Sequence, residues 1–293
     1  MKNFRGKAIY NPSGKAGEYS VWACNFHVGC SNGCTYCYCK KGVLASTMGG
    51  DNPTLKKCFK DEQHALEVFE KELQANLPEL QKHGMFFSFT TDPLLDDHDW
   101  LYLDASLLCV DKCVPVKFLT KQAVWVDKFL NIDLPSILKH SPESYKKMVE
   151  LMAFGFTLTG HDDLEPNADT NFDRLEAMKQ LHDVGFKTFA SIEPIIDFES
   201  SMGAIEQSLG YCDLYKIGLM SGQKVDKQFK NDLVKFVERI CLLAKRCGAK
   251  VYWKESITKV FGEINSEASV SRDYNIFNNI NHDTRNKTVT TIL

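Results

Sequence analysis

Cys30-Ser31-Asn32-Gly33-Cys34-Thr35-Tyr36-Cys37-Tyr38-Cys39 sets three cysteines at the spacing C-x3-C-x2-C, with Gly33 and Tyr36 between them and a fourth cysteine two residues further on. Three thiolates on one tight loop can ligate three irons of a [4Fe–4S] cube and leave the fourth iron without a protein ligand. An open metal position marks a site of chemistry, as it does for zinc. Zinc held by Cys30, Cys34, Cys37 and Cys39 in a non-catalytic module is the competing reading, but zinc knuckles normally pair two C-x2-C units across a longer loop. A plain electron-transfer iron–sulfur protein would need a fourth protein ligand and would not need so large a scaffold.

The rest of the composition is that of a folded, water-exposed chain: 293 residues, 44% hydrophobic and 25% charged. No apolar run of about eighteen residues predicts a membrane span, and the first residues lack the apolar core of a secretory signal. The chain is therefore expected to be cytoplasmic. Eleven cysteines, an odd number with four inside positions 30–39, do not suit a disulfide framework. Cys109, Cys113, Cys212, Cys241 and Cys247 lie in apolar segments and read as buried small hydrophobes. The net charge of −3 gives no global footprint for nucleic acid, although residues 1–60 hold nine basic side chains against two acidic ones. That local surplus suits either an anionic substrate or a solvated surface.

Outward from the cysteines, Glu18 to Asn25 reads as a first strand and residues 1–17 as a polar lead-in. Residues 40–61 read as an irregular connection. Leu66, Phe69, Leu73 and Leu77 recur at helical spacing, followed by a buried strand over Met85–Thr90. Helices are predicted from about His98 to Cys113, in pieces over 122–151 broken by Pro135 and Pro142, over 169–184, 200–210 and 226–247. Strands are predicted over 114–120, 153–159, 186–192, 212–217 and 249–253. In the helix over 169–184, Phe172, Leu175, Met178, Leu181 and Val184 fall on one face. Residues 262–293 are Asn-rich and expected to be irregular.

Six or seven strands alternating with helices predict parallel βαβ units in an α/β fold, with no linker to divide them. The expected organisation is a lead-in over 1–17, one barrel domain over 18–255 and an extension over 256–293. In parallel α/β barrels the chemistry gathers where strands end. The informative polar residues fall at such ends: the cysteine loop, Thr90-Thr91-Asp92, Thr159-Gly160-His161 and Glu193.

These residues resemble the radical SAM superfamily, whose signature is C-x3-C-x2-C with an aromatic before the last cysteine, matched by Cys30, Cys34, Tyr36 and Cys37. Within it the chain is similar to the spore-photoproduct-lyase-like branch and to phage-associated radical SAM proteins. Thr90-Thr91-Asp92-Pro93, Leu119-Thr120-Lys121, Leu164-Glu165-Pro166 with Arg174-Leu175, Glu193-Pro194 and Lys216-Ile217-Gly218 resemble strand ends of that group. The resemblance spans roughly residues 18–255.

What the resemblance implies is a partial (β/α)6 TIM-type barrel binding a [4Fe–4S] cluster and S-adenosylmethionine. A one-electron donor such as flavodoxin or ferredoxin would drive reductive cleavage to a 5′-deoxyadenosyl radical, which abstracts hydrogen from a substrate. That substrate would be a nucleic acid, in a lyase or repair-like reaction, or else a protein or small molecule. Cys30, Cys34 and Cys37 would ligate iron, and Tyr36 would lie near the adenine unless it serves packing alone. Thr90, Thr91 and Asp92 stand where the family holds the methionine amino group, although the usual G-G-E type motif is absent. Thr157 and Thr159 would reach the ribose, Arg174 the carboxylate of S-adenosylmethionine unless it lies on the surface, and Glu193 the ribose or substrate. Cys39 is a fourth ligand, a hydrogen-atom donor or a bystander; Cys58 is the other candidate donor. His27 reads as a packing or supporting histidine.

Overall fold

The computed structural model describes residues 3–96 and 99–278. Met1, Lys2, His98 at the expected start of a helix, and residues 279–293 of the expected irregular tail lie outside the described residues. The fold is mixed α/β with mostly parallel strands, of the partial TIM-barrel type. The chain divides into two compact units: residues 1–153 with 163–169, and residues 154–162 with 170–293. No Gly- or Pro-rich linker marks the boundary. It falls inside a strand, where an apolar run continues unbroken.

In the first unit the strands are β1 (Ile9–Tyr10), β2 (Ala23–Cys24), β3 (His27–Val28), β4 (Thr54–Leu55), β5 (Met85–Phe87) and β6 (Val116–Thr120). The sheet runs β1-β2-β5-β6, antiparallel at the β1 edge and parallel thereafter. β3 and β4 form a separate antiparallel ribbon. The helices are α1 (Ala45–Met48), α2 (Glu62–Ala75), α3 (Leu77–His83), α4 (Asp99–Asp111), α5 (Trp125–Lys128), α6 (Leu134–His140) and α7 (Pro142–Leu151). A π-helical turn over Phe129–Asp133 joins α5 to α6. Phe69 of α2 and Tyr102 of α4 pack their rings on Phe87 of β5 and on Phe26, while Phe87 stacks on Phe118 of β6. Strand alternation therefore gives one sheet face, carrying Phe87 and Phe118, to the helices.

The chain passes into the second unit within β7 (Met152–Thr157). It continues with α8 (Asn171–Asp183), β8 (Lys187–Ile195), α9 (Phe198–Ser208), β9 (Leu214–Leu219), α10 (Lys227–Cys247), β10 (Lys250–Trp253) and α11 (Glu255–Phe261). β8, β9 and β10 pair in parallel, the register of β8 on β9 shifting between Ile192 and Ile195. β7 and β8 are buried at almost every position, as expected of strands covered on both faces. Among the described residues no helix is long and apolar enough to cross a membrane.

Several local expectations change. The first strand is reduced to Ala23–Cys24, because residues 16–18 close a 3-10 turn and only two residues find register with both neighbours. The lead-in is not loose: the Glu72 carboxylate of α2 accepts from the backbone N–H groups of Lys7 (2.7 Å), Ala8 (3.0 Å) and Ile9 (2.7 Å), which places β1. Pro135 and Pro142 open helices rather than break them, since a first-turn residue needs no N–H partner. Phe172 is 66% exposed. Two residues on, and so about 200° round the helix, Arg174 takes the buried face instead. Cys109 and Cys212 are buried as expected, whereas Cys113 and Cys247 are exposed at the ends of their helices.

Replacing Glu72 by Ala strips a carboxylate from three backbone donors at once. We expect the unfolding free energy to fall by about 3 kcal/mol, with Glu72→Gln losing less, since hydrogen bonds to a charged group carry about 1.5–3 kcal/mol each and do not add fully. Urea titration of the two variants against the parent chain measures it; a change within error for Glu72→Ala would show that β1 is placed by other contacts.

Candidate active site

The cysteine loop is an excursion whose two ends are tied. β3 leads into it and β4 leads out, with His27 opposite Leu55 and Val28 opposite Thr54. The Cys30 N–H donates to the Gly50 carbonyl at 3.0 Å. Gly29, at φ +86°, lies so close to the Asn52 carbonyl that a side chain would collide with it. Gly33, at φ +71°, makes the turn inside the signature, and a Cβ there would press on Pro166 and Asn167 at 3.1 Å. Only glycine meets both demands cheaply.

Asp92 holds this loop to the ends of two strands. Its carboxylate, 6% exposed, accepts from Asn32 Nδ2 (2.9 Å) and Lys121 N (2.7 Å) on one oxygen. The other oxygen accepts from Thr120 Oγ1 (2.7 Å) and Leu94 N (3.1 Å). Asn32 is more buried still; its side-chain carbonyl accepts from Gln122 Nε2 at 2.6 Å, and its backbone carbonyl from Asn167 N at 3.2 Å. The short segment 163–169, which folds with the first unit, straps the other side of the loop. Thr35 N donates to Leu164 O, Asn167 Nδ2 to Ser31 O, and the Tyr36 hydroxyl to Glu165, a carboxylate only 1% exposed. The Lys121 ammonium stands 5.6 Å over the Tyr36 ring.

Thr90 spends its hydroxyl on the His27 carbonyl (2.5 Å), and Thr91 lends its own carbonyl to Ser88 (2.9 Å). His27 is buried against Tyr102, as a packing histidine would be. Thr90, Thr91 and Asp92 are thus gathered beside the cysteines, with Thr90 and Asp92 engaged in holding the loop. Cys39 is buried within the same loop, its thiol 3.7 Å from the Phe89 carbonyl. Cys58 is exposed three residues past β4, well along the chain from the signature.

The sulfurs are set up as acceptors. Backbone N–H groups of Asn32 and Asp92 point at the Cys30 sulfur, although burial, aided by the Asp92 charge, still pushes its pKa up to about 11. The Cys39 thiol donates to the Cys37 sulfur, and the N–H groups of Cys39 and Lys40 add to it, which lowers the Cys37 pKa to about 6 and raises that of Cys39. N–H groups aimed at sulfur are what a thiolate ligand of an iron–sulfur cluster uses to offset its charge. Among the described residues no three His, Cys, Asp or Glu side chains gather closely enough for a single metal ion.

The second unit carries the remaining candidates. Arg174 is fully buried and donates from Nη1 to the Thr157 carbonyl at 2.7 Å, which removes the surface reading of this residue. Thr159 N and Gly160 N both donate to Asn171 Oδ1 at 3.0 Å, and the Thr159 hydroxyl accepts from His161 N at 3.2 Å. Glu193 pairs with the buried Lys254, and Gly218 leaves room for that pair, since a Cβ would stand 2.8 Å from Glu193 Oε1. Lys216 lies 5.1 Å from the Tyr252 ring centre. Thr157 and Arg174 are brought together, and Glu193 and Lys254 are brought together.

Asn32, Gln122, Glu165 and Asn167 are the supporting residues the sequence reading passed over. Glu165 stood in a motif already singled out, but nothing in a linear pattern says that segment 163–169 returns to the cysteine loop.

No family model matches the chain, and no curated protein matches it. Among solved structures it is similar to a variant of spore photoproduct lyase with AdoMet and dinucleoside spore photoproduct bound, at 16% identity and a TM-score of 0.50. The match covers 77% of this chain and 62% of that one, less than two thirds of its length. At that identity the likeness is one of fold.

Asp92→Ala leaves four donors, most of them buried, without their acceptor. Loss of a network of this kind typically costs about 3 kcal/mol or more. We expect a lowered melting temperature and faster proteolytic cleavage within residues 29–53; a cleavage rate equal to that of the parent chain would show that the strap over 163–169 holds the loop unaided.

Proposed function

We propose that this chain is a radical SAM enzyme: it holds a [4Fe–4S] cluster on Cys30, Cys34 and Cys37 and uses it to cleave S-adenosylmethionine reductively. The observation that carries this reading is the C-x3-C-x2-C loop itself, hydrogen-bonded on both sides and with backbone N–H groups aimed at the Cys30 and Cys37 sulfurs. The fold likeness to spore photoproduct lyase agrees with the resemblance carried by the motifs. When bound, the cluster and S-adenosylmethionine supply the radical chemistry that removes hydrogen from the substrate.

The chain's own residues supply position and surroundings. Asp92 and Asn32 fix the loop between the ends of β5 and β6, so the three thiolates are held before any metal arrives. Tyr36, pinned by Glu165 and covered by Lys121, presents a ring edge-fixed beside Cys37, in the place proposed for the adenine. Asp92 enters this reading as a positioning residue, its oxygens already accepting four hydrogen bonds; Thr90 does likewise through His27. Thr157, Thr159, Arg174 and Glu193 are proposed for the nucleoside and carboxylate ends of S-adenosylmethionine or for substrate, with Arg174 setting the end of β7 through the Thr157 carbonyl. Cys39, donating to Cys37, supports a ligand rather than being one, and Cys58 stays a candidate hydrogen donor through its exposure alone. The electron would come from a donor such as flavodoxin or ferredoxin. A lyase or repair-like reaction on nucleic acid is the proposed substrate class, ahead of a protein or small molecule.

Anaerobic reconstitution should load about four irons per chain, the content of one cube. Dithionite with S-adenosylmethionine should then release 5′-deoxyadenosine. Single Ala replacements of Cys30, Cys34 and Cys37 should each abolish both signals, whereas Cys39→Ala and Cys58→Ala should keep the iron. An intact cluster without any deoxyadenosine release would sink the enzyme reading.

A further inference from the structure

Phe86 of β5 and Lys117 of β6 are register partners, and Ala23 of β2 is the partner of Phe86, so the three share one face of the sheet. It is the face opposite Phe87 and Phe118, which take the helices. A lysine is out of place there. Its side chain is half-buried, and among the described residues its ammonium makes a single long hydrogen bond, 3.4 Å to the Tyr19 carbonyl, with no carboxylate in ion-pair reach. Burial pulls its pKa down to about 8.

The surroundings are polar and aromatic in a particular way. Ser20, next to Tyr19, has a buried hydroxyl that makes no hydrogen bond among the described residues. The rings of Phe86 and Phe89 stack at 4.5 Å, with Tyr19 against them at 5.7 and 6.1 Å. A half-buried cation without a counter-charge, and a buried hydroxyl without a partner, both cost stability unless something else satisfies them. Anionic oxygens beside Tyr19 would satisfy both.

We propose that Lys117, with Ser20, anchors the anionic group, phosphate or carboxylate, of a substrate whose planar ring lies along Tyr19 and Phe89. This subsite deepens the reaction proposed above and rests on it for its place in catalysis, but the binding itself needs no cluster. The lysine is retained at a cost to the fold, as binding groups often are.

The test is calorimetric titration of the full chain with thymidine 5′-monophosphate, thymidine and benzoate. The parent chain should bind the monophosphate, or benzoate if the natural anion is a carboxylate, at least ten-fold more tightly than thymidine. Lys117→Met should erase that preference, and Lys117→Arg should restore part of it. Equal binding of all three probes by the parent chain, or an unchanged preference in Lys117→Met, overturns the proposal. Lys117→Met should melt at a higher temperature than the parent chain at pH 7, because it removes a charge that folding disfavours; should it misfold instead, Lys117→Gln carries the same comparison. Deoxyadenosine release by the parent chain, measured on the same preparation, separates the two readings. Its absence with a Lys117-dependent preference defeats the reaction alone, and its presence without the preference defeats the subsite alone.

Discussion

One buried carboxylate organises the first unit. Asp92 sits just past β5 and accepts from the cysteine loop, from its own turn and from the end of β6. A carboxylate can be buried only where enough donors replace its water. Four donors from three segments meet that condition, and each segment loses a partner if any other shifts. The loop that carries the thiols is therefore positioned by strand ends and does not depend on its own short helical turns.

The strap over 163–169 completes the enclosure. It comes from chain that lies between parts of the second unit, yet it hydrogen-bonds along the signature at Ser31, Asn32, Thr35 and Tyr36. A loop tied at this many points is held in one arrangement by the chain itself. The same economy explains the glycines at 29 and 33, where neighbouring backbone or side chains leave no room for a Cβ.

Lys117 stands apart from this pattern of satisfied groups. Asp92, Glu72 and Arg174 each repay their burial with hydrogen bonds to backbone or side-chain partners. Lys117 makes one long hydrogen bond, to the Tyr19 carbonyl, and the neighbouring Ser20 hydroxyl makes none among the described residues.

The sequence by itself determined the alternation of strands and helices and the C-x3-C-x2-C spacing, because hydrophobic period and ligand spacing are local properties of the chain. It also located Thr90-Thr91-Asp92 past the end of a strand and Arg174 on a helix, since polar residues after apolar runs are visible in one dimension; Glu193, read as the end of a strand, lies inside β8 (Lys187–Ile195), because pairing with β9 resumes at Ile195. It did not say that Asp92 and Asn32 meet, that Glu165 returns to Tyr36, or that Glu72 holds β1, because those contacts join segments 60 to 129 residues apart. Nor could it orient α8: an apolar Phe172 and a charged Arg174 pointed the wrong way until the Thr157 carbonyl gave the guanidinium a buried partner. Lys117 read as an ordinary strand residue. Only the register of β6 on β5, and the helices covering the other face, decided that its ammonium is half-buried beside the Tyr19 carbonyl without a counter-charge.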